Sequence, residues 1–277
     1  MAYETILVHL DDTVRTNERI KIAASIALAN NSHLVGASMI GVSTVSFEKE
    51  NIAQQDPDTA NHIKFLQERA TQVLAEFEIT ALKMGLPFFE GRVIDGDTSY
   101  GIALQSRYCD LTIIGQTNFN EPSHNVDPDF PEYVVLNAGR PVLIVPCMGE
   151  FASVGKRVLI SWDASREATR AVNDVIPLLK RAEIVQVACF NADAQPFGDQ
   201  PGDDIALYLA RHGIKVEVLQ NMNVQNVAHA LLSRAADLSS DLLVMGCYGH
   251  SRLRERLLGG ATRTILENMT IPVLMSH

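Results

Sequence analysis

Glycines, arginines and a threonine are concentrated in the segment Asp241–Leu266, which begins with the apolar run Leu242–Met245. After Met245, the residues of interest are, in order, Gly246, Gly249, His250, Arg252, Gly259, Gly260, Ala261 and Thr262. An apolar strand followed by a glycine loop and a helix N-terminus presents backbone N–H groups and a positive dipole end to a phosphate. We therefore interpret the segment as the phosphate loop of a nucleotide site. On spacing alone, glycines that merely punctuate a strand–loop–helix connection are the alternative.

The residue types suit phosphate binding in different ways. Gly246 and Gly249 permit a tight turn and let the backbone approach a ligand closely. Thr262 can donate a hydroxyl hydrogen bond to a phosphate oxygen. Positive charge in or beside the loop comes from Arg252, Arg254, Arg256 and Arg263. No G-x-x-x-x-G-K-[ST] loop, G-x-S-x-G elbow or Ser-His-Asp pattern accompanies them.

The chain carries two copies of one pattern. Thr5–Thr13 is similar to Arg157–Ser165, and Cys109–Thr117 is similar to Ser240–Tyr248. A constant offset of 131 residues relates the last two apolar runs of the copies. The first copy is 21 residues longer between its first run and its glycine, and we expect the extra residues around Val45–Ala60.

Short Val/Ile/Leu runs alternate with amphipathic segments in both copies, which predicts parallel strands with helices on both faces. Strands are predicted near residues 4–10, 34–41, 87–94, 110–115, 141–146, 157–162, 183–190, 214–220, 241–246 and 271–276. Helices are predicted near residues 15–30, 58–84, 98–107, 129–138, 165–181, 202–212, 224–236 and 256–267. The predicted fold is α/β: two tandem doubly wound, Rossmann-like domains, each with a five-stranded parallel sheet. We expect them to span residues 1–149 and 150–277, with ligand crevices at the carboxyl ends of the strands.

Composition excludes several classes of protein. The net charge of −10 argues against nucleic acid as a partner. No apolar run approaches the roughly 20 residues of a membrane span, and the first residues lack a signal-peptide pattern. Four scattered cysteines indicate reduced thiols, so a cytoplasmic location is expected. No ligand spacing predicts a metal site among His9, His62, His124 and Asp127.

The first copy keeps the length of the loop and loses its phosphate-binding features. The offset of 131 places the loop positions on Gly115, Asn118, Pro128, Asp129 and Pro131. Proline removes a backbone donor, and acidic side chains repel phosphate. The acidic balance belongs to this half, since residues 1–150 carry a net charge of −10 and residues 151–277 a net charge of 0. We predict that the first half does not bind ATP in the manner of the second half's loop.

The G-x2-G-x9-G spacing between an apolar strand and a helix closely resembles the nucleotide loop of the universal stress protein family. Asp163 matches the family's first-strand acid, and Pro272–Leu274 matches its P-V-L final strand. The resemblance covers essentially the whole chain as two tandem copies. Family members that bind ATP usually carry Ser or Thr after the last glycine. This chain has Gly260 there, which leaves Thr262 as the nearest hydroxyl.

The resemblance implies a stress-response protein that binds ATP or AMP, with Mg²⁺ as an accompanying ion. It adds Asp163, Ala164 and Ser165 to the loop residues as ligand contacts. It also implies that Ala188, Cys189 and Phe190 form the adenine and ribose wall. The sequence leaves another role open, because Asp163–Ser165 could cap the following helix.

Three functions compete. The first is a regulatory nucleotide-binding protein, and the second is a slow ATPase or nucleotide hydrolase using the same loop. The third is an interaction module with vestigial sites, whose acidic first half binds a protein or small molecule. Beyond Asp163 there is no convincing general base or Mg²⁺-ligand pair, so catalysis ranks lower and would be at most weak ATP hydrolysis.

The resemblance also bears on assembly. Family domains commonly pair through their last strands, which implies antiparallel pairing of Val142–Val145 with Val273–Met275 and an internal pseudo-dimer. Association of two chains into a homodimer and an unidentified protein partner both stay open. No membrane partner is expected.

Overall fold

The structure is a computed structural model that describes residues 2–42, 57–121, 123, 126–190, 201–220, 224–249 and 260–277. Its contacts divide the chain into two compact units. The N-terminal unit comprises Tyr3–Gly139, and the C-terminal unit comprises Arg140–His277 with the first two residues. The contacts therefore divide at Gly139, ten residues before the boundary at 149 that the repeat predicts.

The N-terminal unit alternates strands and helices along the chain. Its elements are β1 (Thr5–Leu10), α1 (Thr16–Asn30), β2 (His33–Met39), α2 (Pro57–Lys83), β3 (Phe89–Ile94), α3 (Thr98–Ser106), β4 (Leu111–Gly115) and α4 (Phe130–Asn137). The strands lie in the order β3-β2-β1-β4, and every described pairing among them is parallel. Extra residues are expected around Val45–Ala60, of which residues 45–56 lie outside the described residues and the rest belong to the start of α2.

The C-terminal unit repeats the alternation after one additional strand. Its elements are β5 (Val142–Val145), β6 (Arg157–Trp162), α5 (Arg166–Leu179), β7 (Ile184–Cys189), α6 (Pro201–Arg211), β8 (Glu217–Gln220), α7 (Val227–Asp237), β9 (Leu242–Gly246), α8 (Ala261–Asn268) and β10 (Val273–Ser276). The order is β5-β10-β9-β6-β7-β8, with β10 through β8 parallel. β5 is antiparallel to β10, with Leu274 opposite Leu143, so the predicted pairing is confirmed.

The central strands form because they are almost wholly apolar and covered on both faces. Leu242, Leu243 and Val244 of β9 are all fully buried, as are Val273, Leu274 and Met275 of β10. Parallel sheets need helices on both faces, so their central strands are continuous rather than alternating hydrophobic runs. The α/β fold predicted from this pattern is confirmed. No helix of the described ranges is long and apolar enough to cross a bilayer.

Two aspartates at equivalent positions fasten the start of the fourth strand in each repeat. Asp110 accepts hydrogen bonds from the backbone N–H groups of Glu4 and Thr5 at 2.8 and 3.0 Å. Asp241 accepts from the N–H groups of Gly155, Lys156 and Arg157, at 2.8 to 3.1 Å, and from the Ser153 hydroxyl. The two carboxylates accept hydrogen bonds from backbone N–H groups at or just before the start of the first strand of each repeat. The sequence repeat alone did not reveal this structural role.

Candidate functional site

The strand register of the C-terminal unit brings the predicted ligand residues to one edge of its sheet. Trp162 of β6 lies opposite Cys189 of β7, and Ser276 of β10 lies opposite Gly246 of β9. Because parallel strands share a direction, the residues that follow these positions meet at the carboxyl edge. Asp163 and the loop after Gly246 therefore start from the same side of the sheet.

Asp163–Ser165 forms a tight turn between β6 and α5. The Asp163 side chain is exposed, and its Oδ1 accepts from the Ser165 N–H at 3.0 Å. Ser165 is the N-cap of α5, and its hydroxyl oxygen accepts from the Ala168 N–H at 3.1 Å. Ala164 adopts a left-handed conformation with φ of 59°, which is unusual for a residue with a Cβ. The predicted cap is thus formed by Ser165, whereas Asp163 bonds only to the turn, and its exposed carboxylate can face a ligand.

Gly246 is where β9 meets the first turn of α5. A Cβ at this position would lie 2.5 Å from the Glu167 carbonyl carbon and still closer to the Ala168 nitrogen. Only glycine therefore fits between the strand end and the helix backbone. The next residues are held from β10, since Ser276 O accepts from the Cys247 N–H at 3.1 Å.

Within the described part of the chain, no side chain caps the N-terminus of α8. Gly260 is the N-cap, makes no side-chain capping bond, and has no acidic residue in the turn that follows. The first N–H groups of a helix have no partner within the helix, so they remain available to an anion. Ala261 is the first residue of α8. Thr262 is buried, and its oxygen accepts from the Tyr248 N–H at 3.4 Å, which ties the loop to the helix.

The wall predicted from β7 lies at its carboxyl end. Ala188 and Cys189 are buried, and Phe190 is half-buried just beyond the strand. Burial raises the pKa of the Cys189 thiol to about 11, with a further contribution from Asp203. Cys189 is therefore a neutral thiol at physiological pH, which suits an apolar wall.

The remaining predicted site residues are either described in or next to β9 or lie outside the described residues. Met245 is buried within β9 and ends its apolar stretch. Gly249 lies against the side chain of Glu167. His250, Arg252 and Gly259 lie outside the described residues, as do Arg254 and Arg256.

Comparison with known proteins relates the C-terminal unit, which contains this site, to a known family. Residues 155–277 match the model of the Universal stress protein family. These residues belong to the universal stress protein family. A curated relative, a universal stress protein of Synechocystis sp. (Slr1230), is 29% identical over 147 residues. That match covers 52% of this chain, and the chain spans about half (49%) of the relative's length.

Solved structures extend the likeness in fold to nearly the whole chain. A universal stress protein from Archaeoglobus fulgidus DSM 4304 superposes with a TM-score of 0.75 at 17% identity, covering 98% of this chain and 95% of that one. A functionally unknown protein from Pseudomonas aeruginosa PAO1 gives 0.60 at 17% identity, covering 99% and 92%. At these identities, the likeness establishes the fold.

The N-terminal unit differs from the C-terminal unit at the end of its first strand. Asp11, which follows β1, is buried and forms an ion pair with Arg19 at 2.8 Å. Its Oδ1 accepts from the hydroxyls of Thr13 and Thr16 at 2.6 and 2.5 Å. Arg19 also donates to the carbonyl oxygen of His9, and its guanidinium lies where a Cβ on Gly115 would sit. An arginine thus occupies the space beside the glycine that corresponds to Gly246.

Electrostatics explain why this buried acid stays charged. Burial by itself would raise the pKa of Asp11, but the guanidinium of Arg19 and the hydroxyl hydrogen bonds hold that pKa well below its ordinary value. A cavity of about 260 Å³ opens beside Asp11 and is lined by Asp12, Arg69 and Glu76 among others. Asp12 in turn pairs with Arg69 and Ser123, both at 2.6 Å.

The loop after β4 has little to offer a phosphate in its described part. Thr117 donates its hydroxyl to the carbonyl oxygen of Pro128 at 2.8 Å. The first turn of α4 contains Pro131, which has no N–H, and Glu132, which is acidic. These features support the prediction that the first half does not bind ATP, which stays a prediction.

His9 lies in β1 with a fully buried ring. The ring centroid is 4.7 Å from that of Phe130, and neither ring nitrogen has a hydrogen-bond partner among the described residues. Burial lowers the pKa of His9 from 6.5 to about 3, although Asp11 opposes the shift. The folded protein therefore carries His9 uncharged at neutral pH.

His9→Leu should remove an acid-sensitive component of stability. In the unfolded chain His9 protonates below about pH 6.5, whereas the folded state resists protonation until about pH 3. Stability is thus lost as pH falls through 6.5, by about 2 kcal/mol between pH 6.5 and 4.5. Urea unfolding at several pH values gives the free energy of unfolding as a function of pH. This free energy should fall less steeply with decreasing pH for His9→Leu than for His62→Leu, the exposed control. Equal slopes would contradict the assignment.

Proposed function

We propose that the chain is a tandem universal stress protein whose C-terminal unit binds an adenine nucleotide, ATP or AMP, in a regulatory rather than catalytic role. One observation carries the proposal. Gly246 at the end of β9 and the N-terminus of α8, which no described side chain caps, lie at the carboxyl edge of a parallel sheet, in the part of the chain that matches the family. Asp163 starts from the same edge and would face the ribose. Ala188–Phe190 would line the base.

Gly260 offers a direct test of phosphate binding. Its φ of −53° and ψ of 159° are accessible to any residue, so substitution there need not strain the backbone. Gly260→Asp introduces the residue that the first copy has at this position and should cap α8 well. Its carboxylate would repel phosphate, so we expect nucleotide affinity to fall by roughly tenfold or more without loss of stability.

Gly260→Ser is the matched control. Its hydroxyl is neutral, caps the helix equally well, and can donate to phosphate, so affinity should be kept or improved. Isothermal titration with ATP, ADP and AMP, together with thermal melts, distinguishes the variants. Equal affinities for Gly260→Asp and Gly260→Ser would place the nucleotide elsewhere.

ATP hydrolysis can be measured separately on the same purified protein. A regulatory protein should release no more phosphate from ATP over several hours than buffer does. Phosphate release by the wild type that disappears in Asp163→Ala would instead support a slow ATPase. Absence of binding by any adenine nucleotide would leave an interaction module with vestigial sites.

A further inference from the structure

Strand β3 forms one edge of the sheet, and solvent reaches its side chains. It comes first in the order β3-β2-β1-β4, so β2 is its single neighbour among the described strands. Every residue of β3 is half-buried or exposed, and the apolar side chain of Val93 is 40% exposed. Edge strands are commonly protected by proline, lysine or a bulge, because an unpaired edge binds other strands. β3 contains neither proline nor lysine, and its pairing with β2 is continuous.

The hydrogen bonds to β2 show which backbone groups of β3 point outward. The Phe88 carbonyl oxygen accepts from the Leu34 N–H at 3.1 Å, and the Ile94 carbonyl oxygen accepts from the Ile40 N–H at 3.0 Å. Backbone groups alternate in direction along a strand, so the even-numbered residues between these two bonds also face β2. The N–H and C=O groups that point to the outer side belong to the odd-numbered residues, Phe89, Gly91 and Val93.

The sequence of β3, FEGRVI, is complementary to itself in an antiparallel pairing centred on Gly91. Gly91 then faces Gly91 of a second copy, Phe89 faces Val93, and Glu90 faces Arg92. The pairings of the odd-numbered residues join the outward N–H and C=O groups of both strands. Glu90 and Arg92 take the positions without hydrogen bonds, where opposing side chains come closest. Opposite charges at such positions stabilise a strand pair, and like charges destabilise it.

The two charged side chains are placed to form these contacts. Glu90 and Arg92 are 43% and 48% exposed, and they form an ion pair with each other within the strand. Arg92 also donates from Nη1 to Oε1 of Gln105 at 3.2 Å. Because they are two residues apart, both lie on the same face of β3. Two antiparallel copies would therefore set four charges of alternating sign around the symmetry axis.

We propose that β3 is an interaction surface for a second copy of this chain, which pairs with it antiparallel to form a two-fold symmetric dimer. Each sheet is then continued across the dimer axis from β3 to β3. The pairing of β5 with β10 already takes place within one chain, so the β3 edge supplies a different contact. The inference is independent of the proposed nucleotide site, because β3 lies in the N-terminal unit.

Charge reversal tests the register. Sedimentation velocity of the full chain, from about 1 to about 100 µM, should show a species of twice the chain mass that grows with concentration. Arg92→Glu sets glutamate against Glu90 of the second copy, and Glu90→Arg sets arginine against Arg92. Each variant should raise the Kd of the dimer by roughly tenfold or more. An equimolar mixture of the two should dimerise again, since one copy then carries two acids and the other two arginines.

Two controls separate the edge from general effects of charge and folding. Lys64→Glu makes the same change in charge at an exposed pair with Glu68 on α2, and it should leave the Kd unchanged. Val93→Pro removes one outward N–H and no hydrogen bond to β2, so it should weaken the dimer without a change of net charge. Thermal melts establish that each variant is folded.

Three results would overturn the proposal. The first is a wild-type chain that remains monomeric throughout the concentration range. The second is a dimer whose Kd is the same in the wild type and in both charge reversals, which would place the interface elsewhere. The third is a mixture of Arg92→Glu and Glu90→Arg that stays monomeric although each variant is folded.

Discussion

Arg19→Met should lower the free energy of unfolding by about 3–5 kcal/mol, because it leaves the buried Asp11 carboxylate without its cation. Arg19 is 2% exposed and donates to Asp11, to the Thr16 hydroxyl and to the carbonyl oxygen of His9. Methionine fills part of the volume but replaces none of these donors. Urea unfolding at pH 7, followed by far-ultraviolet circular dichroism, measures the loss.

The double variant Arg19→Met/Asp11→Asn serves as its control. Asparagine carries no charge, and its side-chain oxygen can still accept from the Thr13 N–H and the Thr16 hydroxyl. Replacing both members of a buried pair is often nearly neutral, so more than half of the lost stability should return. A loss below about 1 kcal/mol for Arg19→Met alone would show that the pair contributes little.

The sequence could predict the sheet because the sheet depends on local pattern. Apolar runs located the ten strands that the described ranges contain, with boundary differences such as β8, which begins at Glu217 rather than near residue 214. The repeat correctly paired the runs that became β4 and β9. Pro131 and Glu132 do lie in the first turn of α4, and the absence of ATP binding by this half stays a prediction. Such features are read from neighbouring residues.

Long side chains that cross between elements could not be predicted in this way. Arg19 follows the ordinary pattern of a helix, and nothing in its spacing shows that its guanidinium reaches Asp11 and Gly115. Glu167 is similar, because an acid in the first turn of a helix already has a local explanation in the helix dipole. Its contact with Gly249 depends on how β9 docks against α5, which only the three-dimensional structure provides.

Gly246→Ala should destabilise the C-terminal unit by about 2–3 kcal/mol and weaken nucleotide binding by at least roughly tenfold. The added Cβ meets the backbone of Glu167 and Ala168, which cannot rotate away as a side chain could. Either β9 or the first turn of α5 must move, and the Ser165 cap and the loop move with them. The buried Trp162, the only tryptophan, reports on this unit by fluorescence during urea unfolding.

Gly249→Ala is the control for Gly246→Ala, because it adds the same methyl group where the neighbouring atoms belong to a side chain and not to the backbone. Its Cβ would meet the end of the Glu167 side chain at 2.8 Å, and a flexible carboxylate can withdraw. We therefore expect a loss of stability below about 1 kcal/mol, since surface changes without backbone conflict are small. Equal losses for the two variants would mean that the contact between β9 and α5 adapts easily. The requirement for glycine at position 246 would then be weak.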